Sequence, residues 1–534
     1  MSKMNKNILR FLLLASIVLV IGIAFTRIGH NEAYTQENIR SELDRFVEVF
    51  AYVKRYYVEP VESDKLITGA IEGLLAKLDP HSVYIPKKSM ERVTEQFEGS
   101  FEGIGIEFII LNKILTVVSP IPGGPSEAIG VQPGDQIIQI DGSSSYGITE
   151  EQVFKKLRGP KGSKVKVMIA RTGLAEPFEV EIIRDKIPIN SLYASFMLDD
   201  GKTGYIWLAR FAKTTSDELE TALKELRSQG MKQLIFDLRS NSGGLLEQAV
   251  EVADKFIPSG QKLVYTRGRL SGADDDYYST SGSDQPMMPM IVMINHGSAS
   301  ASEIVAGAVQ DLDRGLVAGQ TSFGKGLVQN QIGLKDGSAL RLTVARYYTP
   351  SGRLIQRPYD DGLADYYAEA YDDEDENADQ AAADSGRAVY STRAGRKVFG
   401  GGGITPDSSI KAERITRFTN ALFGSRIFFE LGSRYGSALR GRYAGFEAFR
   451  ANYRVGDELL PDLKELLKKN KIEFSQEAYE QDEAYIKSMV KAEVARSLYD
   501  SKRYYQIIRG EDPELVAAQA LMPQAQRILR QGGW

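Results

Sequence analysis

Met290-Ile291-Val292-Met293-Ile294-Asn295-His296-Gly297-Ser298-Ala299-Ser300-Ala301-Ser302-Glu303-Ile304-Val305 runs from an apolar strand through a serine-rich turn into an apolar helix. Five consecutive apolar residues read as a strand, and Ile304, Val305, Ala308 and Val309 continue as a helix. A second unit of this kind lies upstream. Leu234-Ile235-Phe236-Asp237-Leu238 leads through Arg239-Ser240-Asn241-Ser242-Gly243-Gly244 into an amphipathic helix carrying Leu245, Ala249, Val252, Ala253 and Phe256. Strand–loop–helix units of this type build layered α/β folds.

The turn between strand and helix holds three serines. Ser300-Ala301-Ser302-Glu303 has the Ser-x-x-Glu pattern of a capping box, which would make Ser300 a helix cap. The same place suits a nucleophile, because N–H groups at a helix start can receive the charge that develops on an attacked carbonyl oxygen. Ser298 and Ser302 compete with Ser300, and spacing does not choose among them. The chain has three histidines and no cysteine, which excludes a cysteine nucleophile and a Cys-ligated metal. A serine nucleophile then needs another base. Lys325, in Phe323-Gly324-Lys325-Gly326, is the candidate. A free lysine titrates near ~10.4, so a base must be desolvated until it titrates near ~7–8. Phe323 and Leu327 could wall it off, and the Gln329 amide could hold its amine without adding charge. His296 lies four residues before Ser300, where a histidine would need an orienting acid and room to fold back. Gly243-Gly244 is a common helix entry and also a place where a bare N–H can face a substrate carbonyl. It does not match a phosphate-loop pattern.

Farther out, 534 residues bound two to four domains. A net charge of −5 argues against a nucleic-acid partner. Lys3, Lys6 and Arg10 precede an apolar run over residues 11–25. At ~1.5 Å per residue it spans roughly 22 Å, which fits a signal-peptide core ending near Gly22-Ile23-Ala24 or, with snorkelling arginines, a membrane anchor over residues 1–27. Either reading exports the remainder to the periplasm or cell envelope. Residues 36–100 read as helical, with a turn at Asp79-Pro80-His81-Ser82. Residues 101–186 carry short β-type runs at 104–110, 114–118, 136–140, 164–170 and 178–183, separated by Gly/Pro/Asp turns, as in a small barrel-like domain. Residues 187–359 hold the β–α units. Residues 360–403, with Asp372-Asp373-Glu374-Asp375-Glu376, read as a solvated acidic insertion. Residues 404–534 read mainly as helix.

Three segments together resemble the carboxyl-terminal processing peptidases, the tail-specific serine protease family. These are Asn295–Ile304, Thr321–Gln329 and Asp237–Leu245, and the resemblance extends over roughly residues 40–410. It implies Ser300 as nucleophile, Lys325 as general base and Gln329 as its orienting partner. Backbone N–H groups of Gly244 and Ala301 would form the oxyanion hole. It further implies a crotonase-like or Clp-like α/β catalytic core with an inserted PDZ domain over residues 101–186. In that domain Gly103-Ile104-Gly105-Ile106 would bind a substrate's terminal carboxylate, Gly134-Asp135 would be the glycine-aspartate turn, and Arg158 would couple the domain to the site. The expected partners are protein or peptide substrates with free C-terminal tails, together with an envelope adaptor or activator and the membrane through the N-terminal segment. No metal or cofactor is implied. The acidic stretch and the last ~120 residues match no element of the family, and they leave substrate choice and oligomeric state open. The expectation is an exported serine endopeptidase. A catalytically silent PDZ scaffold and a coenzyme-A-using hydratase are the rival readings.

Overall fold

The computed structural model describes residues 39–280, 287–360, 362, 366–367 and 386–534. The basic-apolar segment 1–27 and the acidic block Asp372–Glu376 lie outside them. Among the described residues no helix is long and apolar enough to cross a membrane. The chain divides after Leu78 into two compact units. In the first, a helix over residues 39–56 precedes the helix Ser63–Leu75. Leu43, Phe46 and Val47 of the long helix are exposed.

The second unit is built on a six-stranded sheet in the order Leu192–Met197, Thr203–Leu208, Gln233–Asp237, Met290–Ile294, Leu316–Gly319, Ser408–Ser409. Only the first pair is antiparallel. Alternate residues of its central strands face two different cores. Ile206, Phe236, Val292 and Ile294 pack with the helices Thr215–Ser228, Leu246–Asp254 and Ala301–Asp311. Tyr205, Ile235, Ile291 and Met293 pack with Leu515, Ala518, Met522, Ala525 and Ile528 of the helices Pro513–Ala520 and Met522–Gln531. Covering both faces is why these strands are apolar without alternation.

A second sheet lies beside the first. Its long strand Ala339–Tyr348 pairs on one side with Leu327–Gly333 and elsewhere with Val83–Ile85 and Lys262–Gly268, antiparallel throughout. Residues 36–100 are therefore not wholly helical. Val83–Ile85 is a three-residue strand of the second unit, too short to show a period. The barrel-like domain has strand order Ile106–Leu111, Ile114–Pro120, Gln136–Ile140, Lys164–Ala170, Phe178–Ile183 around its own core, with Ile106–Leu111 at the edge. Thr149 caps the helix Glu150–Leu157 with a full capping box.

Two readings need correction. The solvated-insertion reading fails for residues 386–403, where Val389–Ser391 and Lys397–Phe399 form a hairpin. It packs onto the core through Arg396, paired to Asp313 at 2.6 Å, and through the Arg393 N–H on the Asp311 carbonyl at 2.7 Å. The region 404–534 is more than a helical appendix. Ser408–Ser409 extends the central sheet, residues 513–531 cover its second face, and only the helices between Arg417 and Gly510 gather a separate core.

Leu515 is 2% exposed in the layer over the second face. Leu515→Ala is expected to lower stability by about 2–4 kcal/mol. Urea denaturation followed by tryptophan fluorescence checks this, and an unchanged midpoint would show that the layer is not part of the core.

Candidate active site

Three neighbouring parallel strands, ending at Asp237, Ile294 and Gly319, deliver their following loops to one edge of the sheet, where open α/β sheets place their ligands. Those loops carry Gly243-Gly244, Ser300 and Lys325. All of these residues, with Gln329, Arg210 and Phe97, line a cleft of about 770 Å³.

The three serines differ sharply. Ser298 Oγ donates to the Leu238 carbonyl at 2.8 Å and accepts the Asn295 N–H at 2.9 Å. Ser302 Oγ donates to the Asn241 carbonyl at 2.8 Å. Both are fully buried, and both bind the turn to the neighbouring strand's loop. Ser300 instead lines the cleft, at φ 55° and ψ −113°, a conformation that costs a non-glycine residue of order 1–3 kcal/mol. Ser300 and Glu303 also close the capping box that their spacing signals, and the Glu303 N–H bonds the backbone carbonyl of Ser300 at 2.8 Å.

Glu303 is the residue whose part the sequence did not reveal. Fully buried, it accepts four hydrogen bonds: from the Ser300 N–H at 2.7 Å, the Ser322 hydroxyl at 2.6 Å, the Gly324 N–H at 2.7 Å and the Lys325 N–H at 2.9 Å. Burial pushes its carboxyl above the usual range, and the donors oppose that shift. The Ser-x-x-Glu pattern signalled the bond to Ser300; nothing local signalled the other three.

The lysine loop is packed on its glycines. A Cβ on Gly324 would come within 2.9 Å of the Gly403 N, and one on Gly326 within 2.8 Å of the Gln356 N. Phe323 and Leu327 are buried, as desolvation of Lys325 requires. Burial, with Arg341 adding to it, brings the Lys325 ammonium down to about 8, while Glu303 and Asp79 pull it upward. His81, in the turn Asp79–Ser82, stands near this lysine. Its Nε2 lies 2.9 Å from the Tyr366 hydroxyl, and burial followed by the Lys325 charge pushes it down to about 4. His296 does not line the cleft.

Opposite Ser300, Phe211 bridges Gly244 in parallel register, accepting the Leu245 N–H and donating to the Gly243 carbonyl. In that geometry the N–H of Gly244 points away from Phe211. A side chain there would overlap the Phe211 carbonyl oxygen. Asn241 Oδ1 takes the Gly243 N–H at 2.9 Å. Neither the Gly244 nor the Ala301 N–H is bonded to another described residue. Upstream, buried Asp237 is held by Tyr205 and Arg239, and Arg239 reaches Asp512 at 2.7 Å and Glu514 at 3.0 Å.

In the barrel-like domain, Gly103, Ile104 and Gly105 are buried and Ile106 is half-buried beside the edge strand, with Gly105 at φ 73°. Gly134 makes the expected turn at φ 85°, and Asp135 pairs with Arg171 at 2.7 Å. Arg158 lies over the rings of Phe101 and Phe154 and pairs with Glu95. Glu95 belongs to the helix Lys87–Glu98, whose Gln96 and Phe97 line the cleft.

Several segments of the chain match known families. Residues 202–363 match the profile of peptidase family S41, 116–171 a PDZ domain, 25–89 the N-terminal domain of the activating protease CtpB, and 418–500 a family of unknown function. The carboxy-terminal-processing protease of Bartonella bacilliformis is 40% identical over 325 residues, 60% of this chain and 74% of that protein. Carboxy-terminal processing protease CtpA of Bacillus subtilis is 34% identical over 331 residues, 62% and 69% of the two chains. Among solved structures, the photosystem II D1 C-terminal processing protease is 32% identical, with a TM-score of 0.33 and coverage of 58% of this chain and 89% of that one.

Glu303→Gln keeps the shape but sets an NH2 group against N–H donors. It is expected to lower stability by about 2–4 kcal/mol. Chemical denaturation reads this, and a loss below about 0.5 kcal/mol would mean that the four bonds are not what holds the two loops.

Proposed function

Since the chain belongs to the carboxy-terminal processing proteases of peptidase family S41, we propose that it is an exported endopeptidase that cuts protein substrates near their C-termini at a Ser300–Lys325–Gln329 site. One observation carries the reading. The Glu303 carboxylate joins the N–H of Ser300 to the N–H of Lys325, and both residues line one cleft. A lysine titrating at about 8 is neutral in about one molecule in ten at pH 7, against roughly one in a few thousand for the free side chain.

The neutral Lys325 amine takes the Ser300 proton as Oγ attacks the substrate carbonyl. The N–H groups of Gly244 and Ala301 receive the oxyanion, and the lysine ammonium protonates the leaving amine. Water then hydrolyses the acyl-enzyme with Lys325 again as base. Gln329 holds the ammonium through its amide oxygen. The PDZ domain takes the substrate tail as an added strand on Ile106–Leu111, with the Gly103–Ile106 loop at the carboxylate. Arg158 links that domain, through Glu95, to the helix that touches the cleft. The basic-apolar segment before residue 28 supports export to the periplasm or envelope.

Ser300→Ala is expected to lower peptidase turnover by at least about 10³-fold with the thermal melt unchanged. Ser298→Ala and Ser302→Ala should keep most turnover while losing about 1 kcal/mol of stability. Casein cleavage beside thermal melts separates the three, and full activity of Ser300→Ala would move the nucleophile elsewhere.

Lys325→Arg should be as inactive as Ser300→Ala, since arginine keeps the charge and cannot act as base. Because the protonated lysine cannot accept the serine proton, turnover should rise with pH through about 8 and fall below it. A rate flat from pH 6 to 9, or an active Lys325→Arg, would remove the lysine base.

If the loop gates entry, amidating the C-terminus of a tail peptide should weaken its cleavage. Equal cleavage of acid and amide would exclude that gate.

A further inference from the structure

Asp79-Pro80-His81-Ser82 reads from sequence as a helix-ending turn, and the function so far has no use for it. In the fold it leads directly into the strand Val83–Ile85, whose pairing with Ala339–Arg341 lays the turn beside Thr343. Thr343 is tied to it twice. Its N–H donates to Ser82 Oγ at 3.1 Å, and its hydroxyl donates to Asp79 Oδ1 at 3.1 Å. Asp79 also accepts the His81 and Ser82 N–H groups, each at 2.8 Å, and the Ser82 hydroxyl at 2.6 Å.

Across the sheet, Thr343 is the direct partner of Gln329, and a register shift between Val328 and Gln329 sets them opposite each other. Gln329 Nε2 lies 3.4 Å from Thr343 Oγ1, the longest link of the set. The chemistry of the donors fixes the direction. A carboxylate only accepts, so the single hydroxyl proton of Thr343 goes to Asp79. Thr343 Oγ1 is then left as an acceptor, and Gln329 must present its NH2 group to it. The planar amide then turns its oxygen away from Thr343, and Gln329 and Lys325 line the same cleft. A reversed amide would set its oxygen against the Thr343 oxygen, whose proton is committed to Asp79, and its NH2 group against the lysine ammonium.

We infer that Thr343 is a positioning residue that fixes which face of the Gln329 amide meets Lys325, with the turn Asp79–Ser82 as its anchor. The inference rests on the Ser300–Lys325–Gln329 reading. Asp79 and Thr343 touch no substrate; they act through Gln329.

The test uses the purified full chain, one tail peptide, and steady-state kinetics beside thermal melts. T343V keeps the β-branched shape and removes the hydroxyl. It is expected to lower kcat about tenfold with KM unchanged. T343S restores the hydroxyl and should bring most of the rate back. In a Q329A background T343V should cause no further loss, because the two act as one unit. Should T343V not fold, T343A makes the same comparison. T343V at wild-type kcat while Q329A is slow would overturn the relay and leave the proposed site standing. Q329A at wild-type kcat would remove Gln329 from that site and the relay with it. A loss that adds fully to that of Q329A, or that T343S does not restore, would show that Thr343 serves the fold alone.

Discussion

A single buried carboxylate organises the edge of the sheet at which Ser300 and Lys325 meet the cleft. Placing an ion in a protein interior is costly, and four hydrogen bonds to Glu303 offset that cost. Two consequences follow from which groups donate. The bond to the Ser300 N–H holds a non-glycine residue at φ 55°, where the chain would not otherwise rest. The bonds to the Gly324 and Lys325 N–H groups spend the carboxylate on backbone. Its charge still draws the lysine upward, but burial and Arg341 outweigh it, and the amine settles at about 8. An acid used as a direct ion-pair partner would have kept the lysine charged.

Much of the strand framework is legible in the sequence. Gln136–Ile140, Lys164–Ala170, Phe178–Ile183 and Met290–Ile294 occur with the boundaries that their apolar patterns set, because strands with one or two buried faces write that burial into sequence. The elements that escaped depend on distant partners. Val83–Ile85 is a strand because Ala339–Arg341 lies beside it. The hairpin 389–399 is ordered by Asp311 and Asp313, far away in the chain, and its own composition suggests solvent. Asp79 and Glu303 looked like local punctuation, a turn and a cap. Each does that local work and also binds a segment that no spacing rule connects to it. Among the serines, sequence could not choose; the bonds of Ser298 and Ser302 to backbone carbonyls are visible only in three dimensions.

The region after Ser409 shows the same limit on a larger scale. Its helices read as charged and generic, yet Asp512 and Glu514 close around Arg239, which grips Asp237 at the end of the strand leading to Gly243-Gly244. Arg509 adds its guanidinium over the Trp207 ring, 4.0 Å from the centroid. Elsewhere in the region Ser501 bonds Glu107 at 2.9 Å, on the edge strand of the PDZ domain. One stretch of chain thus contacts both the segment proposed to hold the oxyanion and the strand proposed to receive the tail.

The covering of the second sheet face by Leu515, Ala518, Met522, Ala525 and Ile528 also sets an order of assembly. During synthesis the strands that lead to Gly244 and Ser300 emerge long before residues 513–531, and until those arrive one face of the sheet is bare. Contacts so far apart in sequence form slowly and leave apolar strands exposed meanwhile. A nascent chain would therefore carry the proposed nucleophile, Ser300, and Lys325 for some time without a completed layer to hold them in register. For a protease of this family, that delay postpones activity until residues 513–531 have been made, and makes the unfinished chain a client for chaperones.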